Sequence, residues 1–429
     1  MKKDKISLPF KLIIAYLFFE YVRPQSLIPG LSVLHIPALI QLALIFCLFK
    51  YQAFNFNNFE TKCFLALIVL MILHVPFAIN NYWAFQTTII MIKLVIVYLS
   101  FVSFIKTPKE LDRIMFVFIL VGFFCAIHGN IKGGMIPGSA FMGDENDFAL
   151  VLNMIMPIAF FKALYSATKK MKILFMFAFF FLILGTVASM SRGGFVGLCA
   201  AISYCWLRGP KKIITGIVMI IIIVISLNFI SQEYWDEIDT IKTTIQSQQK
   251  GQRQYYWSLA WRMFLQHPFI GVGPNNFPWV MHLYEPTEGH AGRFHRGKQA
   301  HSIFFTLISE LGLVGIFLFI GMLFKAIKDE FLLSKYLKFI SKNSTFKKNI
   351  NDGFFINNLK IIHSSFYSFD GALFAYFATG TFLSVFYYPH FWLFIGIIVA
   401  RNNIAREIVI KNKQYFEKAS RYEVKKKHD

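Results

Sequence analysis

Apolar residues in this chain come in long runs separated by short polar connectors, not at the two-residue alternation of a half-buried strand. About twelve runs are long enough, or nearly so, to cross the ~30 Å hydrocarbon core of a bilayer as helices. They cover 9–22, 27–49, 62–80, 82–105, 111–129, 148–166, 171–190, 193–207, 211–231, 301–325, 366–386 and 388–400, the eighth and the last being short. The pattern predicts an all-α polytopic membrane protein of about twelve transmembrane helices. Residues 1–231 form a membrane bundle of about nine spans, 232–300 a large outer loop with short helices, and 301–400 the last three spans with a cytoplasmic loop at 326–365. Residues 401–429 form a basic cytoplasmic tail. Lys2, Lys3, Lys5 and Lys11 before the first run mimic a signal peptide, but Arg23-Pro24 follows it in place of a small-x-small cleavage site. An uncleaved first span is therefore expected.

Composition agrees with a lipid environment. Of the 429 residues, 56% are hydrophobic, 51 are Phe and only 16% are charged, which excludes an ordinary soluble domain, a disordered chain, collagen and a coiled coil. The net charge of +21 would suggest nucleic acid in a soluble protein; here the basic residues flank spans, and no nucleic-acid partner is expected. With the N-terminus inside, 33 of the 44 Lys and Arg fall in inner segments and 10 in outer ones, with Lys93 inside a span. Both termini are thus predicted to be cytoplasmic, with the 232–300 loop outside. The five cysteines lie in apolar runs without a CxxC pair, so neither a zinc site nor a disulfide framework is indicated. No internal repeat is visible, which removes the inverted-repeat signature of many transporters.

The outer loop gathers the polar chemistry. Four of the eleven histidines, His267, His282, His290 and His295, lie in it, and His301 closes it. Three stretches here, in order, are Ser191-Arg192-Gly193-Gly194; Gly251-Gln252-Arg253-Gln254-Tyr255-Tyr256-Trp257, leading through His267-Pro268 to Gly271-Val272-Gly273-Pro274-Asn275-Asn276-Phe277; and Gln299-Ala300-His301-Ser302 before a span reading LISELGLVG from Leu307 to Gly315. In that order and spacing they resemble the O-antigen ligase and O-antigen polymerase family, which includes bacterial protein O-oligosaccharyltransferases. Gly143-Asp144-Glu145-Asn146-Asp147-Phe148-Ala149 is a weaker feature of the same resemblance, which covers roughly residues 140 to 325. Ser302 departs from the Asn often found in the family after the histidine, which bears on the subgroup.

The resemblance implies a fold of the C-type lipid-donor glycosyltransferase class and a metal-independent, inverting glycosyl transfer without a cofactor. The donor would be a glycan on undecaprenyl diphosphate. The acceptor would be a hydroxyl of lipid A core, another glycan or a protein, at the outer face of the bacterial inner membrane, with membrane lipids around the bundle. The residue chemistry fits that expectation. A diphosphate leaving group without a metal needs guanidinium groups, which stay charged and can chelate two phosphate oxygens. An acceptor hydroxyl needs a base of near-neutral pKa, for which histidine is suited. Arg192, Arg253 and His301 are the candidate catalytic residues; Tyr256, Trp257, Arg296 and Glu310 are candidates for binding substrate. Gly193-Gly194 would let phosphate approach the backbone.

A helix over 252–267 would place Trp257, Ala260, Trp261 and Phe264 within about 80° of Arg253, on an apolar stripe. Glu310, about 13 Å into its span at ~1.5 Å per residue, would orient an arginine or pair with Lys93. His290, His295 and His301 are spaced unlike ligands on one helical face, so no metal is expected. Two other readings remain open at this point. One is a polymerase with the same chemistry; the other is a transporter of lipid-linked glycans or anions.

Overall fold

The structure, a computed structural model, describes residues 6–28, 30–136, 141–210, 212–227, 252–285, 297–342 and 353–411. Its longer helices are α1 (Leu8–Tyr21), α3 (Ile36–Lys50), α4 (Phe59–His74), α5 (Asn81–Phe104), α6 (Pro108–Ile131), α7 (Glu145–Tyr165), α8 (Lys169–Ala188), α9 (Arg192–Arg208), α10 (Lys212–Leu227), α11 (Gln252–Gln266), α13 (Ile303–Lys342), α14 (Gly353–Gly380) and α15 (Pro389–Lys411). The short helices α2 (Pro24–Leu27) and α12 (Phe277–Val280) lie in connections. Each of the twelve predicted runs carries an α-helix, and the protein is an all-helical polytopic membrane protein. Among the described residues seven helical segments are long and apolar enough to cross a membrane: 31–50, 59–77, 81–104, 108–131, 145–165, 169–188 and 303–336.

Local chemistry sets where the helices start. Thr107 and Glu110 form a capping box before α6, and Asp144, Thr168 and Ser191 cap α7, α8 and α9 with their side-chain oxygens. The interior is built on α7 and α15, which are buried along most of their length. Trp392 of α15 is fully buried and stacks on Phe64 of α4 with ring centroids 4.2 Å apart. The perimeter is apolar as well: Phe46 and Phe49 on α3 and Phe317 and Phe324 on α13 are all exposed, as expected of helices that face lipid.

Two expectations about the last helices change. The stretch 326–365, expected as a loop, is helical over 326–342 and 353–365. Likewise 401–411, expected to begin a tail, continues α15. The reason is a buried charge cluster that ties these extensions together. Arg401 is fully buried, with Nη2 2.6 Å from Glu330 and Nη1 3.7 Å from Asp370, and its guanidinium lies 4.5 Å from the Phe366 ring centroid. Arg406 pairs with Asp329 at 2.6 Å. Ion pairs thus join α13, α14 and α15.

α13 is broken. At Gly312 the backbone turns to φ 58° and ψ −161°, so the helix stops and restarts there. Backbone groups freed at membrane depth must be paired within the protein. Here the chain after α11 supplies the partners. The N–H groups of Val272 and Gly273 donate to the carbonyls of Ser309 and Glu310 at 2.9 and 3.0 Å, and those of Leu313 and Val314 donate to the carbonyls of Pro268 and Phe269 at 2.8 and 3.0 Å. Residues 268–273 are therefore inserted into the break, and the glycine-rich stretches around 271 and 312 are two halves of one interlock.

Candidate active site

α11 brings Arg253 to the bundle. Its protein-facing side is Tyr256, Leu259, Ala260 and Met263, which join Val272, Phe277, Val280, Met281, Tyr284 and Ala300 in a second, small core. Trp261, expected beside Arg253 on the buried stripe, is instead 49% exposed, and Leu265, Phe269 and Ile270 in the same region are exposed too. The helix is apolar on two faces, one packed on protein and one open, and a periodicity argument cannot tell these apart. Arg253 itself is half-buried at the edge of the packed face, 5.9 Å from the ring centroid of Phe382.

The Trp257 side chain sets the distance between α11 and the start of α13. Its indole N–H donates to the Ala300 carbonyl at 3.0 Å, and its ring stacks on Phe305 at 5.2 Å with planes 13° apart. Next to it, Tyr256 is buried and its ring centroid lies 6.2 Å from that of His301. Both aromatic residues, candidates for binding substrate, pack against the residues around the start of α13. His301 is in the left-handed region at φ 49°, immediately before the buried Ser302, whose carbonyl accepts the Thr306 N–H at 2.9 Å.

Arg192 enters from the first turn of α9. Ser191 caps that helix by accepting the Gly194 N–H at 2.8 Å and donates to Asn146 Oδ1 at 2.7 Å. Asn146 in turn donates through Nδ2 to Asp144 Oδ1 at 3.0 Å. This chain joins the Gly143–Ala149 stretch to the Ser191–Gly194 stretch. The two glycines lie against neighbouring segments. Both are buried: a Cβ on Gly194 would stand 2.5 Å from the Ala149 Cβ, and one on Gly193 would stand 3.4 Å from the Phe382 Cβ. They bring α9 against α7 and Phe382, and Arg192 stands beyond them.

The charges of this cluster act on one another. Burial and the Arg192 guanidinium lower the Arg253 pKa, and Asp144 opposes them. Burial, then Arg253, hold the His301 imidazole below its ordinary value, with Lys298 adding to the fall and Asp144 opposing it. An imidazole in that setting is neutral near pH 7 and can accept a proton. Two arginines, one neutral histidine and one carboxylate thus share a site at one end of the bundle. Sequence reasoning does not single out Asp144 or Phe382 as site residues. The signal for Asp144 is its position in the Gly143–Ala149 stretch; Phe382, a Phe among 51, carries none.

Glu310 is buried, and both its oxygens are taken. Oε2 accepts the Asn275 N–H and the Tyr387 O–H, each at 2.7 Å, and Oε1 accepts the Phe277 N–H at 3.1 Å. It holds the loop after the interlock in place of the expected pairing with Lys93 or an arginine; Lys93 is exposed on the outside of α5. Asn276 fixes the same loop from the other side, accepting the Asn80 N–H at 2.8 Å. Arg296, with His290 and His295, lies outside the described residues. Among the described residues no group of three or more His, Cys, Asp or Glu side chains is placed to hold a metal ion.

Comparison with known proteins adds one finding. Residues 177–320 match the O-Antigen ligase family, a segment that contains Arg192, Arg253, His301, Glu310 and the interlock. No curated protein matches the chain.

Proposed function

We propose that this chain, which carries an O-antigen ligase family domain over residues 177–320, transfers a glycan from undecaprenyl diphosphate to an acceptor hydroxyl. The family implies glycosyl transfer of the ligase or polymerase type. The observation that carries the finer reading is the mutual electrostatic influence of Arg192, Arg253 and His301, three groups separated in sequence and gathered at one end of a lipid-facing bundle. In the reaction, His301 takes the proton of the acceptor hydroxyl. The freed oxygen attacks the anomeric carbon from the face opposite the diphosphate, and configuration inverts. The bond to the diphosphate oxygen breaks with its electron pair, and Arg192 and Arg253 neutralise the charge that develops. Asp144 keeps two guanidinium groups tolerable side by side before the donor arrives. Lipid A core, a second glycan and a protein hydroxyl are the acceptor classes that this chemistry serves, at the outer face of the inner membrane with no metal.

Transport is the competing activity, and a product assay separates the two. Purified protein in detergent, given lipid-linked glycan and acceptor, should yield covalently glycosylated acceptor and free undecaprenyl diphosphate. Movement of intact lipid-linked glycan across proteoliposomes with no covalent product would refute the reading.

A further inference from the structure

At the opposite end of the bundle lies a second polar site. α7 begins beside Asp144 and carries Lys162 near its other end, roughly 27 Å away at ~1.5 Å per residue. There the ends of α6, α7, α8 and α14 enclose a cavity of about 320 Å³, within the ~300–1,000 Å³ range of small-molecule pockets. Arg113, Lys162 and Lys360 line it with one carboxylate, Asp112, which is bound to Lys162. Among the described residues neither Arg113 nor Lys360 has a carboxylate within ion-pair distance, so within that set two of the three cations lining the cavity are unpaired.

The other features of the cavity also favour an anion. Its lining includes Ser166 and Thr168 at the start of α8, where the first N–H groups have no intrahelical acceptor and the helix dipole is positive. Carboxylates favour such a position, yet the first turn of α8 has none and carries Lys169, Lys170 and Lys172 instead. Ser364 of α14 also lines the cavity; it is 2% exposed, and its hydroxyl has no hydrogen-bond partner. One wall is apolar, with Phe116, Tyr165 and Phe175.

We propose that this cavity binds a phosphate group, with Arg113 and Lys360 neutralising it and Ser364 and the start of α8 donating hydrogen bonds to it. The same chemistry is offered by the headgroup of an anionic phospholipid and by free phosphate. The apolar wall and the ring of helix ends favour the lipid, as in basic pockets between transmembrane helices. This site is separate from Arg253 and does not depend on glycosyl transfer.

Binding of dioctanoyl phosphatidylglycerol, dioctanoyl phosphatidylcholine and inorganic phosphate to the full chain in neutral detergent tests the proposal. Phosphatidylglycerol should bind saturably and more tightly than phosphatidylcholine. Arg113→Gln with Lys360→Gln should weaken it by about tenfold or more, and Ser364→Ala by about threefold. Lys62→Gln, on an exposed position of α4 outside the cavity, should leave it unchanged. Inorganic phosphate binding as tightly, with the same dependence on Arg113 and Lys360, supports the site with free phosphate as its source. Absence of binding by both anions overturns the proposal. So does equal binding by the zwitterionic lipid, or an equal loss in Lys62→Gln, since either would mean diffuse attraction to a basic surface.

Discussion

The Gly271 backbone stands in the side-chain space of Gly312. A Cβ on Gly312 would stand 2.7 Å from the Gly271 nitrogen and 2.6 Å from the Phe269 carbonyl, and a Cβ on Gly271 would stand 2.4 Å from the Glu310 carbonyl carbon. Gly312→Ala also meets a backbone conformation open essentially to glycine alone, at a cost of about 1–3 kcal/mol before any clash. The variant should melt at lower temperature in detergent. Amide exchange should accelerate at Val272, Gly273, Leu313 and Val314, the four donors of the interlock. Unchanged protection at those amides would show that the two segments are held by something else.

Arg253→Ala should lower kcat by about 10²–10³-fold, the loss seen when one preorganised charge stabiliser is removed. Arg253→Lys keeps the charge but not the planar pair of donors, and should recover only part of that loss. Both should weaken binding of the diphosphate donor as well. Turnover close to normal in Arg253→Ala at equal protein level would remove it from the site.

The pH profile tests His301 by sign. A base works in its neutral form, so activity should rise with pH through the His301 pKa, with a midpoint below the ordinary ~6.5 because that pKa is lowered. Asp144 raises the pKa, so Asp144→Asn should move the midpoint further down; Lys298 lowers it, so Lys298→Gln should move it up. Opposite shifts from two substitutions identify the titrating group, whereas a profile indifferent to both would point to another base. His301→Ala should bind donor normally and transfer it at least ~100-fold more slowly.

Glu310 and Tyr387 should separate by size of effect. Tyr387→Phe removes one of three donors to the carboxylate, at about 0.5–1.5 kcal/mol. Glu310→Ala leaves the Asn275 and Phe277 N–H groups without their acceptor in a buried setting, at about 1–3 kcal/mol each. Thermal unfolding should rank wild type, Tyr387→Phe and Glu310→Ala in that order. Equal stability for all three would mean that the loop is not held through Glu310.

The helices are legible in the sequence because a bilayer demands long apolar runs, and each of the twelve predicted runs is helical. The order of Arg192, Arg253 and His301 is legible through motif resemblance, and the helix predicted over 252–267 is α11, Gln252–Gln266. Its orientation is not legible, because Trp261 and Leu265 look as buried in sequence as Leu259 and Met263 do. The break at Gly312 is hidden because LISELGLVG reads as continuous span. What interrupts it is pairing with backbone some forty residues earlier, which leaves no trace in hydropathy. Glu310 escapes a sequence reading for a related reason: its partners are two backbone amides and a tyrosine from beyond α14, none of which advertises itself as a counter-charge.

The interlock also fixes an order of events during synthesis. Asn276 is gripped by Asn80, made early, while residues 268–273 are gripped by Ser309 to Val314, made late. A nascent chain that has emerged only as far as Gln299 already contains Arg192 and Arg253 but has no slot for the loop between them and the last spans. Docking must await insertion of α13, so the arginines come into register with His301 only when the polypeptide is well past its midpoint in the translocon. A chain stopped before Ser309 would carry both arginines and His301 but no seat for residues 268–273.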